Sequence, residues 1–264
     1  MTPEIQEKIK KLQQKKDEYR HSLHDTIFSD KFYNWLENEL LGEPNFTEEK
    51  LVRMGVSRSD CPRILKQERE NAKKTFAVLM ENLAVKAPYS TEFLKGIHRS
   101  LMQDIIFSAG EYRTEPVRMA MTAIKPAEPD DIRGIIEQAQ KDYYADKNEI
   151  KGILDLNYKI VVTQPFFDAN KRTSRITMNY ELLRHGYSPV FLYGKDRADY
   201  LDVIEKRFAT GETAPYYNFM LGKMAETTQL SIDILDGKKE IQKPVSVAQQ
   251  TLAVAPKINT RQKD

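Results

Sequence analysis

A single cysteine, Cys61, stands in the 264 residues, so no disulfide can form within the chain. That fits a reducing compartment, most simply the cytoplasm. Charge of one sign is lacking too. Lys+Arg 41 against Asp+Glu 39 leaves a net charge of +2, which argues against a nucleic-acid binder driven by bulk charge. Long hydrophobic runs are missing. No stretch approaches the roughly 20 apolar residues of a membrane-spanning helix. The first residues, MTPEIQEKIKK, lack the apolar stretch of a signal peptide, although delivery into another cell by other routes stays open. Repeats and low-complexity tracts are also lacking.

What remains is 40% hydrophobic and 30% charged, enough for one sizeable core with solvated helical faces. Thr2-Pro3 opens a first helix, with Ile5, Ile9 and Leu12 near one face. An apolar run over Phe28–Leu41 holds the only tryptophan, Trp35, and breaks at Gly42-Glu43-Pro44. Thr47-Glu48-Glu49 starts a short helix, and Arg63–Leu83 and Ser90–Ile106 read as longer ones. Between Gly110 and Ile124 the pattern changes. Tyr112, Val117, Met119 and Met121 favour an extended or hairpin segment over a helix, with the hairpin placed around Thr114–Met121. Further helices follow from Pro129, over Asn148–Val162, from the segment after Gln164 to His185-Gly186, and over Lys195–Phe208 and Ala214–Ile234. The expected fold is all-α with one small hairpin. The expected organisation is an N-terminal helical region over 1–90, a core over 91–235 and a flexible tail over 236–264.

The segment Gln164-Pro165-Phe166-Phe167-Asp168-Ala169-Asn170-Lys171-Arg172-Thr173-Ser174-Arg175 concentrates chemistry where a helix begins. A helix start offers backbone N–H groups and a positive dipole end to an anion. Small Ala169 lets a ligand approach the backbone, and Asn170 can hydrogen-bond an anion. Arg172 and Arg175, three apart, can share one side of the helix. Asp168 is a hard oxygen ligand of the kind Mg²⁺ takes when it also binds phosphates. Phe166 suits a core anchor. The same residue types suit an ordinary capped helix with solvated cations, and composition alone leaves both readings open.

The order of these residues resembles the signature of the Fic (Fic/Doc) family, His-Pro-Phe-x-Asp/Glu-Gly/Ala-Asn-Gly/Lys-Arg-x-x-Arg, at every position but the first. Ile97-His98-Arg99-Ser100-Leu101 and Ala109-Gly110-Glu111-Tyr112-Arg113 resemble the family's helix and the start of its flap, so the likeness spans about Thr91–Tyr187. The resemblance implies a helical Fic fold and transfer of AMP from ATP to a hydroxyl of a target protein, with Mg²⁺. It implies that Asp168 holds the metal and that Asn170 lines the anion hole. Phe166, Ala169 and Lys171 would shape the nucleotide site, while Arg172 and Arg175 grip the β and γ phosphates. A target segment would pair with the flap at Thr114–Thr122. No nucleic acid or membrane partner is implied. The Doc branch shares Ala-Asn-Lys and transfers phosphate but lacks the second arginine; Arg175 favours AMP transfer.

The departure is Gln164, which stands where the family has its catalytic histidine. An amide cannot act as general base near neutral pH, and loss of such a base costs about 10²–10⁴-fold in rate. None of His21, His24, His98 and His185 carries a motif that would replace it. A weakened transferase, a nucleotide-binding regulator without turnover and a plain interaction module all remain open. Leu36-Glu37-Asn38 also resembles part of the family's inhibitory helix, which implies a Glu37–Arg175 pair. Tyr33 replaces that helix's Ser/Thr, and a surface role for Glu37 is the alternative.

Overall fold

The computed structural model describes residues 2–24 and 46–238. The run around Trp35, the Glu37–Arg175 pairing and nearly all of the expected tail lie outside the described residues. Among those residues the α-helices are α1 Pro3–His24, α2 Glu48–Arg53, α3 Cys61–Ala84, α4 Thr91–Met102, α5 Ile132–Ala145, α6 Glu149–Thr163, α7 Asn170–Arg184, α8 Arg197–Thr210 and α9 Ala214–Leu235, and no strand joins them. None of them is long and apolar enough to cross a membrane.

Local chemistry fixes many of the helix starts. Thr47, Ser90 and Asn148 each accept a hydrogen bond from a backbone N–H three residues on, at 3.2, 3.0 and 2.9 Å, and so cap α2, α4 and α6. Pro62 lies in the first turn of α3, where a missing N–H costs nothing. Helix α4 stops at Met102, short of the expected Ile106, because turns take over from Gln103.

Helices adjacent in sequence pack on one another, α3 on α4 and α5 on α6, with α6 against α7 and α1 laid along α9. Ile5, Ile9 and Leu12 of α1 join the larger apolar cluster with Tyr216, Met220 and Met224 of α9. A second cluster joins Phe46, Leu51, Ile64, Phe76 and Leu79 to Ile97 and Leu101. Helix α7 contributes to both, through Met178 and Leu182 to one and Ile176 and Tyr180 to the other.

Every residue from Ile176 to Leu182 is buried, so α7 has no solvent face in its middle turns. Several of its polar side chains are bonded internally, while the buried Thr177 hydroxyl has no partner among the described residues. Asn179 makes a paired bond to the Val190 backbone, at 2.9 and 2.8 Å. Fully buried Glu181 is bonded by Arg184, with Arg184 Nη2 at 2.6 Å. Asn157 of α6 donates to Ser174 Oγ at 2.7 Å. A helix fastened this way is a rigid base for whatever its first turn holds.

The expected hairpin is absent. Residues 110–124 form turns and extended backbone, with no strand among the described residues. Two features explain this. Pro116 removes a ladder donor from the middle of the segment. Arg113 is buried and donates to the carbonyls of Glu115 and Ala127, tying both parts of the segment to itself.

Candidate functional site

Helix α6 ends at Gln164, whose φ of +48° and ψ of 63° are left-handed. The chain turns there and runs through 165–169 into α7. Ala169, also left-handed at φ +57°, takes the cap position of α7, and no side chain caps the helix. Two non-glycine residues in this conformation cost about 1–2 kcal/mol each, a strain typical of loops held for function.

Three clamps hold the loop. Asn170 binds both sides of the Phe166 peptide, receiving the Phe166 N–H on Oδ1 and donating from Nδ2 to its carbonyl, each at 2.8 Å. The expected anion-hole amide is thus engaged in closing the loop. Phe166 is fully buried and stacks on His98, with ring centroids 3.8 Å apart and planes 2° from parallel. His98 Nδ1 accepts the Gly110 N–H at 2.9 Å, so its Nε2–H faces the Asp168 carbonyl at 3.2 Å. Burial pushes the His98 imidazole down to about 4, which keeps it neutral in this tautomer. Gly110 is required here. Its φ is +82°, and a Cβ would lie 2.7 Å from Arg99 Cβ. The third clamp is Arg113, with Nε donating to the Gln164 carbonyl at 2.7 Å, Nη2 to Thr163 at 3.3 Å and the backbone N–H to Pro165 at 3.0 Å.

Gln164 is buried, and its Nε2 donates to the Val161 carbonyl at 2.6 Å. That leaves the side-chain oxygen as a neutral acceptor. It can orient a hydroxyl but cannot take its proton.

The charged residues of the motif divide. Asp168, half-buried, accepts from the Ala169 N–H on Oδ1 at 2.6 Å and from Lys50 Nζ on Oδ2 at 3.1 Å. Arg172 is buried and paired with buried Glu68 of α3, Nη2 to Oε1 at 2.9 Å. Glu68 also accepts the Phe46 N–H on Oε2 at 3.3 Å. Lys171 and Arg175 are half-buried, and Phe167 is exposed. Burial and the Arg197 guanidinium hold the Lys171 ammonium below the usual lysine range. The open side of the first turn of α7 is therefore lined by Phe167, Asp168, Lys171 and Arg175, while Ala169, Asn170 and Arg172 face inward.

Lys50, Glu68 and Arg113 were not singled out for these roles from the sequence. Lys50 and Glu68 meet their partners across about a hundred residues, which no spacing rule reaches. A signal for Glu68 exists in outline. With Asn71 and Thr75 it forms a polar stripe at helical spacing on the buried face of α3, which calls for buried partners.

Fold and site together define an all-helical protein in which a strained, triply clamped loop delivers an uncapped helix start flanked by a carboxylate and cations. Comparison with known proteins points the same way. Residues 88–182 match the Fic/DOC family. The chain is 35% identical over 111 residues to the protein adenylyltransferase Fic of Aedes aegypti, covering 41% of this chain and 21% of that protein. It is 36% identical over 77 residues to the protein of the same name from Nematostella vectensis, covering 29% and 17%. The matched region thus spans about a fifth of these relatives' length. In structure it resembles a Fic-domain signalling protein of Bacteroides thetaiotaomicron, with a TM-score of 0.63 and 18% identity over 89% of this chain and all of that one. It also resembles C. elegans Fic-1, with a TM-score of 0.63 and 16% identity over 89% and 74%. Both likenesses speak for the fold.

Proposed function

We propose that this chain binds ATP at the start of α7 and belongs to the adenylyltransferase type, with transfer of AMP to a target hydroxyl slowed by Gln164. The single observation that carries the reading is the loop itself. Three clamps hold an uncapped helix start in a strained conformation, and the residue at the proton-accepting position is an amide already bonded to Val161. The adenylyltransferases named among the relatives support the reaction type.

In this reading the α and β phosphates lie against the first N–H groups of α7, and Lys171 and Arg175 line their approach. A divalent ion would supply charge neutralisation between carboxylate and phosphates. Asp168 suits that ion because its Oδ2 already meets a cation, and Mg²⁺ needs only one or two protein carboxylates beside phosphate oxygens. Segment 114–122 carries no strand pairing of its own, so an extended target segment can pair with it and bring a hydroxyl toward Gln164. The Gln164 oxygen would then orient the hydroxyl without removing its proton.

Calorimetric titration with ATP·Mg tests binding, and incubation with labelled ATP and lysate tests transfer. Restoring the base in Gln164→His is expected to raise labelling by about 10²–10⁴-fold. ATP binding with no label in either protein would establish instead a nucleotide-binding regulator without turnover. No ATP binding at all would sink the proposal.

A further inference from the structure

Lys50 reaches the site from α2, outside the residues that match the Fic/DOC family. Its ammonium lies 3.1 Å from Asp168 Oδ2 and 4.7 Å from the centre of the Phe46 ring. Phe46 is buried, and its N–H is bonded to Glu68, the partner of Arg172. The Lys50 ammonium thus sits between a fixed ring and the one carboxylate of the motif. With Oδ1 engaged by the Ala169 N–H, Oδ2 is the oxygen through which Asp168 meets a cation.

We propose that Lys50 is a built-in competitor of the divalent cation at Asp168, so that a metal ion binds there only by displacing the lysine ammonium. This rests on the reading of Asp168 as the site's metal ligand. The physical argument is occupancy and charge. A hard divalent ion needs Oδ2 at about 2.0–2.1 Å, and it cannot share that approach with an ammonium at hydrogen-bond distance. Even with Lys50 swung away, its positive charge a few ångströms from the ion opposes binding, and the opposition weakens with salt. Lys50 and Asp168 are each partly exposed, with side chains 34% and 22% accessible, so the pair can open without unfolding the core. Its net strength is then modest, and displacement sets a penalty of about tenfold in ion affinity.

Mn²⁺ is the probe, titrated alone into the full chain and followed by the electron paramagnetic resonance of the free ion. Lys50→Met keeps an unbranched side chain beside Phe46 and removes the charge. It is expected to bind Mn²⁺ about tenfold more tightly than the parent, with the difference shrinking as ionic strength rises. Lys50→Arg retains the charge and is expected to stay near the parent. In Lys50→Met/Asp168→Asn the gain is expected to vanish. Equal Mn²⁺ affinity in the parent and Lys50→Met would overturn the proposal. So would weaker binding in Lys50→Met, or a gain that survives Asp168→Asn. Calorimetry with ATP in the presence of a chelator separates this question from the proposed function. Failure to bind ATP there and with Mg²⁺ removes the nucleotide reading and leaves the Mn²⁺ comparison intact. A loss of metal-free ATP affinity in Lys50→Met would make Lys50 a phosphate ligand and overturn the competitor role.

Discussion

Acidifying a solution of this protein from about pH 7.5 to about pH 5 protonates most exposed histidines, but not a buried one such as His98. His98 stacks on Phe166 and joins Gly110 to Asp168, and burial pushes its pKa to about 4. In the unfolded chain it returns to about 6.5. A histidine depressed on folding contributes stability that is complete above the unfolded value and is lost as pH falls toward the folded one. At about pH 5 the unfolded imidazole is almost wholly charged and the folded one mostly neutral, which works out to a loss of about 2 kcal/mol relative to pH 7.5. Urea denaturation of the parent and of His98→Gln at both pH values isolates this quantity. The glutamine side chain does not titrate, so the other three histidines and all carboxylates cancel in the comparison. The parent is expected to lose about 2 kcal/mol more than the variant over the interval. Equal losses would refute the neutral buried tautomer. A greater loss in the variant would show that His98 is held charged, with Asp168 as acceptor of an imidazolium.

Two further substitutions test the clamps and the buried pair. Glu68→Leu removes the carboxylate paired with buried Arg172 and is expected to cost about 3 kcal/mol in chemical denaturation. A cost under about 1 kcal/mol would mean that the pair is not buried as described. Arg113→Ala withdraws donors from the carbonyls of Thr163, Gln164, Glu115 and Ala127. It is expected to cost about 3 kcal/mol and to raise amide exchange through 110–127 and 163–168 together. Loosening of only one of the two segments would contradict the coupling of flap to loop.

Local chemistry made much of this fold legible in advance. Thr47, Ser90 and Asn148 announced helix starts because a cap acts within three residues of itself. The all-helical class followed from apolar spacing such as Ile5, Ile9 and Leu12. The segment after Gly110 was misread because alternation of Tyr112, Val117 and Met119 is also what an extended loop shows when it is pinned by one arginine. The partners of the motif were illegible for a different reason. Lys50 meets Asp168, and Glu68 meets Arg172, only after three helices have packed, and electrostatic pairing leaves no period in a sequence. His98 stood out as part of a helix pattern, yet its two hydrogen bonds, one to each side of the site, depend on the turn at Gly110.

The left-handed turn at Gln164 is shaped by Arg113 on its carbonyl, by the packed ring of Phe166 and by Asn170 beyond it, and the glutamine side chain adds one bond, to the Val161 carbonyl. Most of what holds the turn is therefore indifferent to the side chain at position 164. Under the proposed function, a lineage carrying such a scaffold could silence or revive its chemistry by exchanging a single side chain, at the cost of one buried hydrogen bond.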